Sequence, residues 1–341
     1  MKHRKTFKKI SMSLLPILCC SAISSANANN YFDPFTLIAQ LTSQKHSHPY
    51  QAFNLPISMA LNASGTQAYV VNYTITGVDV VSLCQIDVTT NNLTQCVDSG
   101  AANINTPSMI ALNSLNHVAY IPDLSSNTIS VCQMDATTGA LSNCADSGAP
   151  VINYPSSIVL NASNTLTYTT DFLDSSIMRC QIDTITGNLN NCTDSGALNL
   201  SNPYNIILNS ANSFAYITNF TANSVSICSV DGATGVLSNC TDAGATLLNG
   251  PTGIALNAAG SFAYINNFNT NTVTLCAVDA GTGALSSCTD SGATGLNSLY
   301  NIVINSANTY AYIIDFADSL VMQCAIDSGT GSLNNCANSV Q

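Results

Sequence analysis

Residues 251–295 read PTGIALNAAGSFAYINNFNTNTVTLCAVDAGTGALSSCTDSGATG and contain four short runs of β-forming residues between clusters of Gly, Asn, Asp and Ser. The runs are GIALN, SFAYINN, TVTLCAVD and ALSSCTD. None of them has the 3.6-residue periodicity or the length of a helix. The stretch therefore predicts four consecutive strands joined by short turns.

The same pattern recurs along the chain at a nearly constant spacing. Five units open at a proline and a sixth opens near Leu299, with spacings of 51, 48, 48, 48 and 48 residues (Pro56, Pro107, Pro155, Pro203, Pro251). Four strands in a repeat of this length are typical of a β-propeller blade. Blades stack face to face, which explains near-continuous apolar runs such as NIIL (205–208). We predict an all-β, six-bladed propeller of four-stranded antiparallel blades over residues 51–341.

The N-terminus has the order of basic, apolar and small residues that is typical of a secretory signal peptide. MKHRKTFKK precedes the apolar ISMSLLPILCCSAI, and Ala28 ends a small-residue cleavage signal. We expect cleavage after residue 28, which makes the protein periplasmic or extracellular and leaves no stretch long enough to span a membrane. Residues 29–50 form a separate segment. Its alternating FTLIAQLT (35–42) predicts a strand that pairs near the ring closure.

The charge is strongly one-sided. The chain has 7 Lys and Arg against 18 acidic residues, all of them Asp, and a formal net charge of −11. Five of the seven cations lie in residues 1–28, so the secreted chain would carry 2 − 18 = −16. Such a field disfavours nucleic acid and anionic membrane surfaces as partners. We expect instead a glycan, an extracellular protein or a divalent cation.

Several motifs resemble the YVTN-type repeat of lactonase-like and surface-layer propeller proteins. They are AYITNF (215–220), AYINNF (263–268), SVSICSVD (224–231) and the T-G-x-L turns. The resemblance spans nearly the whole chain after residue 28 and implies a propeller with lactonase-like activity as one function. A superfold hosts many functions, however, so the resemblance is specific for the fold.

The residues that lactonase-like propellers use are scarce in this chain. The resemblance implies a His/Glu/Arg-type set or a Glu-containing metal site. The chain has no Glu, and beyond residue 28 it has one Arg (Arg179) and His at three positions (His46, His48, His117). No convincing Ser-His-Asp or Cys-His arrangement can be assembled from these residues. We assign no catalytic residue and lean against an enzyme.

Each unit carries two cysteines with eleven residues between them. A hairpin around Ala233-Thr234-Gly235, with a left-handed residue at Gly235, places Cys228 opposite Cys240. Secretion favours oxidation of such a pair, whereas zinc would need more ligands and redox catalysis favours C-x-x-C. Pairing between blades is the remaining alternative. We predict six disulfides within blades: Cys84–Cys96, Cys132–Cys144, Cys180–Cys192, Cys228–Cys240, Cys276–Cys288 and Cys324–Cys336.

The end of each second strand carries an Asp or Asn, followed in most units by an aromatic residue. We expect these residues on the face shared by the loops that join strands two to three and four to one. The polar positions are Asn72, Asp123, Asp171, Asn219, Asn267 and Asp315. The positions that follow are Tyr73, Leu124, Phe172, Phe220, Phe268 and Phe316. Oxygen ligands suit Ca²⁺ or a polyol, but Asp and Asn also cap turns. The aromatic residues form either a sugar-stacking platform or packing between blades.

The function that the sequence favours is a secreted binding module acting through this Asp/Asn loop face. Its ligand would be a glycan, an extracellular protein or a divalent cation, with Ca²⁺ as the one candidate cofactor. The first alternative is a lactonase-like hydrolase assisted by a metal on Asp and Asn. The second is a surface-layer or adhesive structural protein.

Overall fold

A computed structural model describes residues 53–73, 80–115 and 117–340. These residues form six separate sheets, each of four strands in chain order, and contain no helix. The predicted six-bladed propeller is confirmed. The strands of the six blades are β1–β4 (Pro56–Leu61, Gln67–Asn72, Val81–Ile86, Leu93–Asp98), β5–β8 (Ala111–Asn113, Val118–Asp123, Thr128–Met134, Leu141–Asp146), β9–β12 (Pro155–Leu160, Leu166–Asp171, Ser176–Ile182, Leu189–Asp194), β13–β16 (Pro203–Leu208, Phe214–Asn219, Ser224–Val230, Leu237–Asp242), β17–β20 (Pro251–Leu256, Phe262–Asn267, Thr272–Val278, Leu285–Asp290) and β21–β24 (Leu299–Ile304, Tyr310–Asp315, Leu320–Ile326, Leu333–Asn338).

The predicted signal peptide and the strand expected at 35–42 lie outside the described residues. Within the described residues, no helix is long and apolar enough to cross a membrane.

The core lies between neighbouring blades. Tyr216 and Ile227 of the fourth blade, for example, pack with Ile254 and Ile265 of the fifth. Both faces of an inner blade strand are therefore covered, which is why these strands read as continuous apolar runs. The outer strand of each blade is mostly exposed, and only its first leucine is buried in all six blades.

Two repeated hydrogen bonds connect each blade to the next. A buried tyrosine in the second strand donates its hydroxyl to a turn carbonyl of the following blade at 2.7–2.8 Å. The pairs are Tyr69–Gly139, Tyr120–Gly187, Tyr168–Gly235, Tyr216–Gly283 and Tyr264–Gly331. Burial raises the pKa of Tyr69 and Tyr216 to about 12, so these hydroxyls remain protonated donors. In the outer strands, Leu237 N–H donates to Ser195 O at 2.7 Å, and this bond also repeats.

The same two bonds close the ring between the sixth and first blades. Leu93 N–H donates to Ser339 O at 2.7 Å. The Tyr312 hydroxyl donates to Asn91 O at 2.6 Å, and the Gln323 side-chain amide donates to the same oxygen at 2.8 Å. The first and sixth blades each have four strands of their own, so the described residues close the ring without exchanging a strand between these blades.

All six predicted disulfides are present, with Cα–Cα distances of 4.0–4.1 Å. The predicted left-handed glycine is confirmed, because Gly235 has φ of 72°. A regular hairpin with Cys228 opposite Cys240 would pair Val230 with Ser238, and this predicted register is wrong by one residue near the turn. Val230 pairs with Leu237, and the loop runs from Asp231 to Val236. The Asp231 carboxylate stabilises this longer loop by accepting the Thr234 N–H and hydroxyl, both at 2.7 Å.

A bulge in the outer strand corrects this register before the cysteines. Pairing shifts between Ile227 and Ser229, and Asn239 adopts φ of 51°. A bulge places two residues opposite one, so Cys240 still reaches Cys228. The equivalent outer-strand position has positive φ in every blade (Gln95, Asn143, Asn191, Asn239, Ser287, Asn335).

Candidate functional site

The six Asp and Asn side chains predicted as ligands lie at the ends of the second strands, and all are buried. One side-chain oxygen of each accepts the backbone N–H of the residue eighteen positions earlier, at 2.9–3.2 Å. The pairs are Asn72–Asn54, Asp123–Asn105, Asp171–Asn153, Asn219–Ser201, Asn267–Asn249 and Asp315–Asn297. These six residues, called the Asp/Asn ring below, therefore fasten the segment that leads into each blade.

A neighbouring side chain on the third strand explains part of the choice between Asn and Asp. The Asn267 amide donates to Thr274 Oγ1 at 2.9 Å. Asn72 and Asn219 likewise donate to serine hydroxyls, Ser82 and Ser226, at 3.0 and 2.9 Å. In the sixth blade the residue equivalent to Thr274 is Met322, which offers no comparable acceptor. There Asp315 instead accepts the Asp318 N–H at 3.2 Å.

The third blade has the same arrangement as the sixth, whereas the second blade differs from both. Met178 lies at the position of Thr274, and Asp171 accepts the N–H of Asp174 at 3.0 Å. In the second blade, Asp123 has Ser130 at that position but accepts bonds from Thr106, Ser125 and Ser126 in the surrounding loops. The three carboxylates therefore lie in different environments.

These environments move the three carboxyl pKa values in different directions. Burial works against ionisation of Asp123, but the hydrogen bonds from its loops outweigh burial and lower its pKa. Burial raises the pKa of Asp171. Burial, reinforced by the nearby charge of Asp318, raises the pKa of Asp315 to about 7. Asp315 therefore exchanges a proton near neutral pH, a property that general acid–base groups share.

The Asp/Asn ring does not offer a ready-made cation site. Its oxygens already accept loop N–H groups, as described above. No group of three or more His, Cys, Asp or Glu within the described residues could hold a metal ion. The loops that follow the outer strands use their acids in the same way, since Asp242 Oδ1 accepts the Gly244 N–H at 2.7 Å. The Ca²⁺ site stays a prediction.

Aromatic side chains cover the end of the propeller that carries the Asp/Asn ring. Tyr204 and Tyr300, from the inner strands of the fourth and sixth blades, meet with ring centroids 6.2 Å apart. Phe220 lies 6.1 Å from Tyr204, and Phe268 lies 5.4 Å from Tyr300. Phe316 completes the contact with Tyr300 at 4.9 Å. These five residues form the aromatic cluster.

The aromatic cluster has the packing role that the sequence predicted, and the sugar-stacking role stays a prediction. Its rings pack between blades, and Tyr204, Tyr300 and Phe316 are buried. Phe220 and Phe268 remain partly exposed and offer ring surface to the solvent. Phe172 is buried against Tyr204 at 6.2 Å, Tyr73 contacts Phe316 at 6.4 Å, and Leu124 is buried.

A cavity of about 560 Å³ opens at the opposite end of the propeller, where the inner strands finish. Aliphatic and methionine side chains line it, and its rim carries asparagines, with no charged residue in the lining. Its apolar wall includes Met59, Leu61, Met109, Ile158, Leu160 and Ile304. We call this cavity the apolar mouth. Sequence reasoning missed it because these residues read as ordinary blade core.

Arg179 and His117, the described members of the scarce Arg and His set, do not meet the Asp/Asn ring. The Arg179 guanidinium donates to Thr234 O of the next blade and, at 3.3 Å, to Thr193 Oγ1. His117 lies between the first and second strands of its blade, at the end of the apolar mouth, with φ of 51°. His46 and His48 lie outside the described residues.

The fold and both ends define a disulfide-stabilised, six-bladed β-propeller with an aromatic, Asp/Asn-lined end and an apolar mouth. The family model described as "Lactonase, 7-bladed beta-propeller" matches residues 37–297. The match spans 297 − 37 + 1 = 261 of 341 residues, so this chain belongs to that lactonase family. The family description names seven blades, whereas the described residues of this chain form six.

Solved structures with this fold include proteins named as lactonases. A putative 6-phosphogluconolactonase from Bacteroides uniformis is 19% identical with a TM-score of 0.61, covering 83% of this chain and 85% of that one. The one from Bacteroides fragilis is 20% identical with a TM-score of 0.60, covering 83% and 84%. A periplasmic gluconolactonase from Pseudomonas aeruginosa is 14% identical with a TM-score of 0.62, covering 83% and 84%. No curated protein sequence matches this chain.

Proposed function

We propose that this protein hydrolyses the ester bond of an uncharged lactone. The observation that carries the proposal is the match of the lactonase family model to 261 residues. Two of the structural neighbours described above are named 6-phosphogluconolactonases and a third a gluconolactonase, which supports a cyclic sugar ester as the substrate class.

The charge of the chain supports a neutral substrate over a phosphorylated one. Phosphate groups are recognised mainly by Arg and Lys. Arg179 is the single Lys or Arg of the described residues, and its guanidinium is already bonded to a neighbouring turn. Of the 18 Asp, two (Asp33 and Asp79) fall outside the described residues, leaving 18 − 2 = 16 acids around that one cation. Such a field repels a phosphate dianion.

The aromatic, Asp/Asn-lined end supplies groups suited to this reaction. A neutral sugar-like ring would lie against the exposed faces of Phe220 and Phe268, since binding sites combine apolar surface with a few polar groups. Asp318 is exposed beside Asp315, so a carboxylate is available there to accept a proton from water. Water would add to the lactone carbonyl, the ring C–O bond would break, and the ring oxygen would take up a proton. The hydroxy-acid product then ionises and releases one proton.

The proton released makes the reaction measurable by titration at constant pH. We expect the purified protein to hydrolyse gluconolactone faster than the spontaneous rate. Asp318→Asn should lower kcat at least tenfold, because it removes the exposed carboxylate and retains its shape. The matched control is Asp327→Asn in the same blade, an exposed acid whose oxygen accepts the Thr330 N–H and hydroxyl in a turn at the other end. This control should retain the wild-type rate.

One result would refute the hydrolysis, and another would refute the role given to Asp318. One is a rate equal to the spontaneous rate for gluconolactone and for 6-phosphogluconolactone, with and without added divalent cations. The other is equal activity in the Asp318→Asn and wild-type proteins, which would remove Asp318 from the reaction.

Binding without turnover is the second candidate. The observation that favours it is that each side chain of the Asp/Asn ring already accepts a backbone N–H of the loop leading into its blade. It predicts saturable binding of a glycan or an extracellular protein with no proton release. Calcium ligation predicts a higher Tm at millimolar Ca²⁺, and an unchanged Tm would exclude it. A surface-layer or adhesive role would appear instead as ordered self-assembly of the purified chain.

We also propose that the protein is secreted through cleavage after Ala28. Six disulfides are typical of proteins that fold in an oxidising compartment, which supports this localisation. N-terminal sequencing of protein recovered from the natural host should begin at Asn29. An intact N-terminus on that protein would refute the cleavage.

A further inference from the structure

The third residue of each unit's inner segment contributes to a layer halfway along the propeller axis. The six residues are Ser58, Met109, Ser157, Asn205, Gly253 and Asn301. They meet across blades: Ser157 Oγ lies 3.1 Å from Met109 Sδ, and Asn205 Nδ2 lies 3.9 Å from the same sulfur. Asn205 belongs to the fourth blade and Met109 to the second, so this contact reaches past the blade between them. We call these six residues the mid-channel layer.

Two polar atoms of the mid-channel layer have no hydrogen-bond partner. They are Asn205 Oδ1 and Ser58 Oγ, on side chains that are 4% and 2% exposed. Leaving such a buried group unpaired is unfavourable, and native proteins rarely do so without a reason. The equivalent asparagine of the sixth blade differs, because Asn301 Oδ1 accepts the Met59 N–H at 3.3 Å. The layer therefore holds one unused acceptor and one unused hydroxyl.

Met59 and Met109 line the apolar mouth, and Met109, itself a member of the mid-channel layer, also contacts Asn205 of that layer. Methionine is unbranched and adapts easily to new packing. Met109 also precedes the short strand β5 (Ala111–Asn113), outside the paired part of that inner strand, and it is partly exposed. The Met109 side chain therefore lies between the cavity, which it lines, and Asn205, which it contacts.

We propose that the apolar mouth binds a neutral aliphatic molecule with a terminal hydroxyl, such as a medium-chain primary alcohol. The aliphatic chain lies against Leu61, Ile158, Leu160 and Ile304. The hydroxyl displaces the Met109 side chain and donates to Asn205 Oδ1. A cavity of about 560 Å³ is within the range of small-molecule sites, and its lining offers no charge to a charged head group. This site lies at the opposite end from the Asp/Asn ring and does not depend on lactone hydrolysis.

The probe is 1-octanol, and the readout is NMR of protein labelled with ¹³C at the methionine methyl groups. We expect saturable shifts of the Met59 and Met109 methyl signals. Met134, Met178 and Met322 lie on third strands and should not shift, which makes them internal controls. Methyl octyl ether, which cannot donate a hydrogen bond, should bind about tenfold more weakly. Octanoate at pH 8 should bind more weakly still.

Two variants test the roles of Asn205 and Met109. Asn205→Ala should weaken 1-octanol to the affinity of the ether and leave the ether unchanged. Met109→Phe retains Asn205 and Ser58, replaces the sulfur near Ser157 and Asn205, and fills the space between the cavity and Asn205. It should abolish the Met59 shift and serves as the second variant if Asn205→Ala does not fold. Asn188→Ala is the matched control and should bind like the wild type, because Asn188 is exposed in the turn before the outer strand of the third blade, outside the cavity lining, where Ala140 and Ala284 stand in other blades.

Three outcomes would overturn the proposal. The first is no saturable shift, as expected if water alone fills the mid-channel layer. The second is a similar shift at all five methionines, which indicates non-specific binding. The third is equal affinity for 1-octanol and the ether in both the wild type and Asn205→Ala, which removes Asn205 from the site.

Discussion

Asp315 is the residue whose environment departs furthest from that of its equivalents in other blades. It is fully buried, and burial together with Asp318 raises its pKa from 3.8 to about 7. Between these two values the folded protein holds a proton that the unfolded chain has lost. Stability linked to Asp315 is therefore highest at low pH and falls as the pH rises from about 4 to 7.

The double variant Asp315→Asn/Met322→Thr should remove this pH dependence. It reproduces the Asn267–Thr274 pair of the fifth blade, in which the amide donates at 2.9 Å. Thermal unfolding at pH 4.5 and pH 8 should show a smaller difference in Tm than in the wild type, with the main gain at pH 8. Asp327→Asn, in an exposed turn, is the control. An unchanged difference in Tm would contradict the assigned environment of Asp315.

Asn266 is the second unusual residue, because neither polar atom of its fully buried side chain has a hydrogen-bond partner. Val71 and Ile314 occupy the same position in the first and sixth blades. Asn266→Val should therefore raise the free energy of unfolding by about 1–3 kcal/mol, measured by urea denaturation.

The neighbouring Asn267 provides a matched control for Asn266. Its side chain accepts the Asn249 N–H at 2.9 Å and donates to Thr274, so Asn267→Val should destabilise the protein. Equal effects of the two substitutions would show that hydrogen bonding does not distinguish these positions.

The hairpin of the third and fourth strands is the element that the sequence predicted best. Cysteine spacing and the Thr-Gly turn identified all six disulfides and the left-handed Gly235. The predicted pairing was wrong near the turn, where the outer strand is shifted by one residue. The bulge at Asn239 removes this shift, so the predicted pairing holds again at the cysteines. A bulge formed by Asn or Ser leaves little trace in a single sequence, since these residues also occur in regular outer strands.

Removal of one disulfide tests how far this hairpin stabilises its blade. Cys228→Ser/Cys240→Ser should lower the free energy of unfolding by about 3 kcal/mol, because the bond closes a short loop in the unfolded chain. The measurement is urea denaturation without reductant, after a peptide map has verified the five other pairs. An unchanged midpoint would mean that the outer strand is stable without its disulfide.

The closure of the ring is a property of the whole molecule. The number of blades and the internal repeat could be predicted from the sequence because the spacing of the units is nearly constant. The contacts that close the ring could not be predicted, because Tyr312 and Gln323 each lie more than 220 positions from Asn91 along the chain. The apolar mouth was missed for the same reason, since it exists only when several inner strands converge.

A double-mutant cycle tests this closure. Tyr312→Phe alone should have a small effect, because Gln323 still donates to Asn91 O at 2.8 Å. Tyr312→Phe/Gln323→Leu leaves that carbonyl without either donor and should lower the free energy of unfolding by more than the sum of the single variants. Strictly additive effects would contradict a shared role at the joint.

The proposed function also concerns the whole molecule, because it depends on the family match and on the negative charge of the chain. The most direct measurement is the ratio of kcat/KM for gluconolactone to that for 6-phosphogluconolactone, determined by proton release at low salt. We expect a ratio well above one that falls towards one as added salt screens the negative charge of the protein. A ratio below one, or no enzymatic hydrolysis of either lactone, would contradict it.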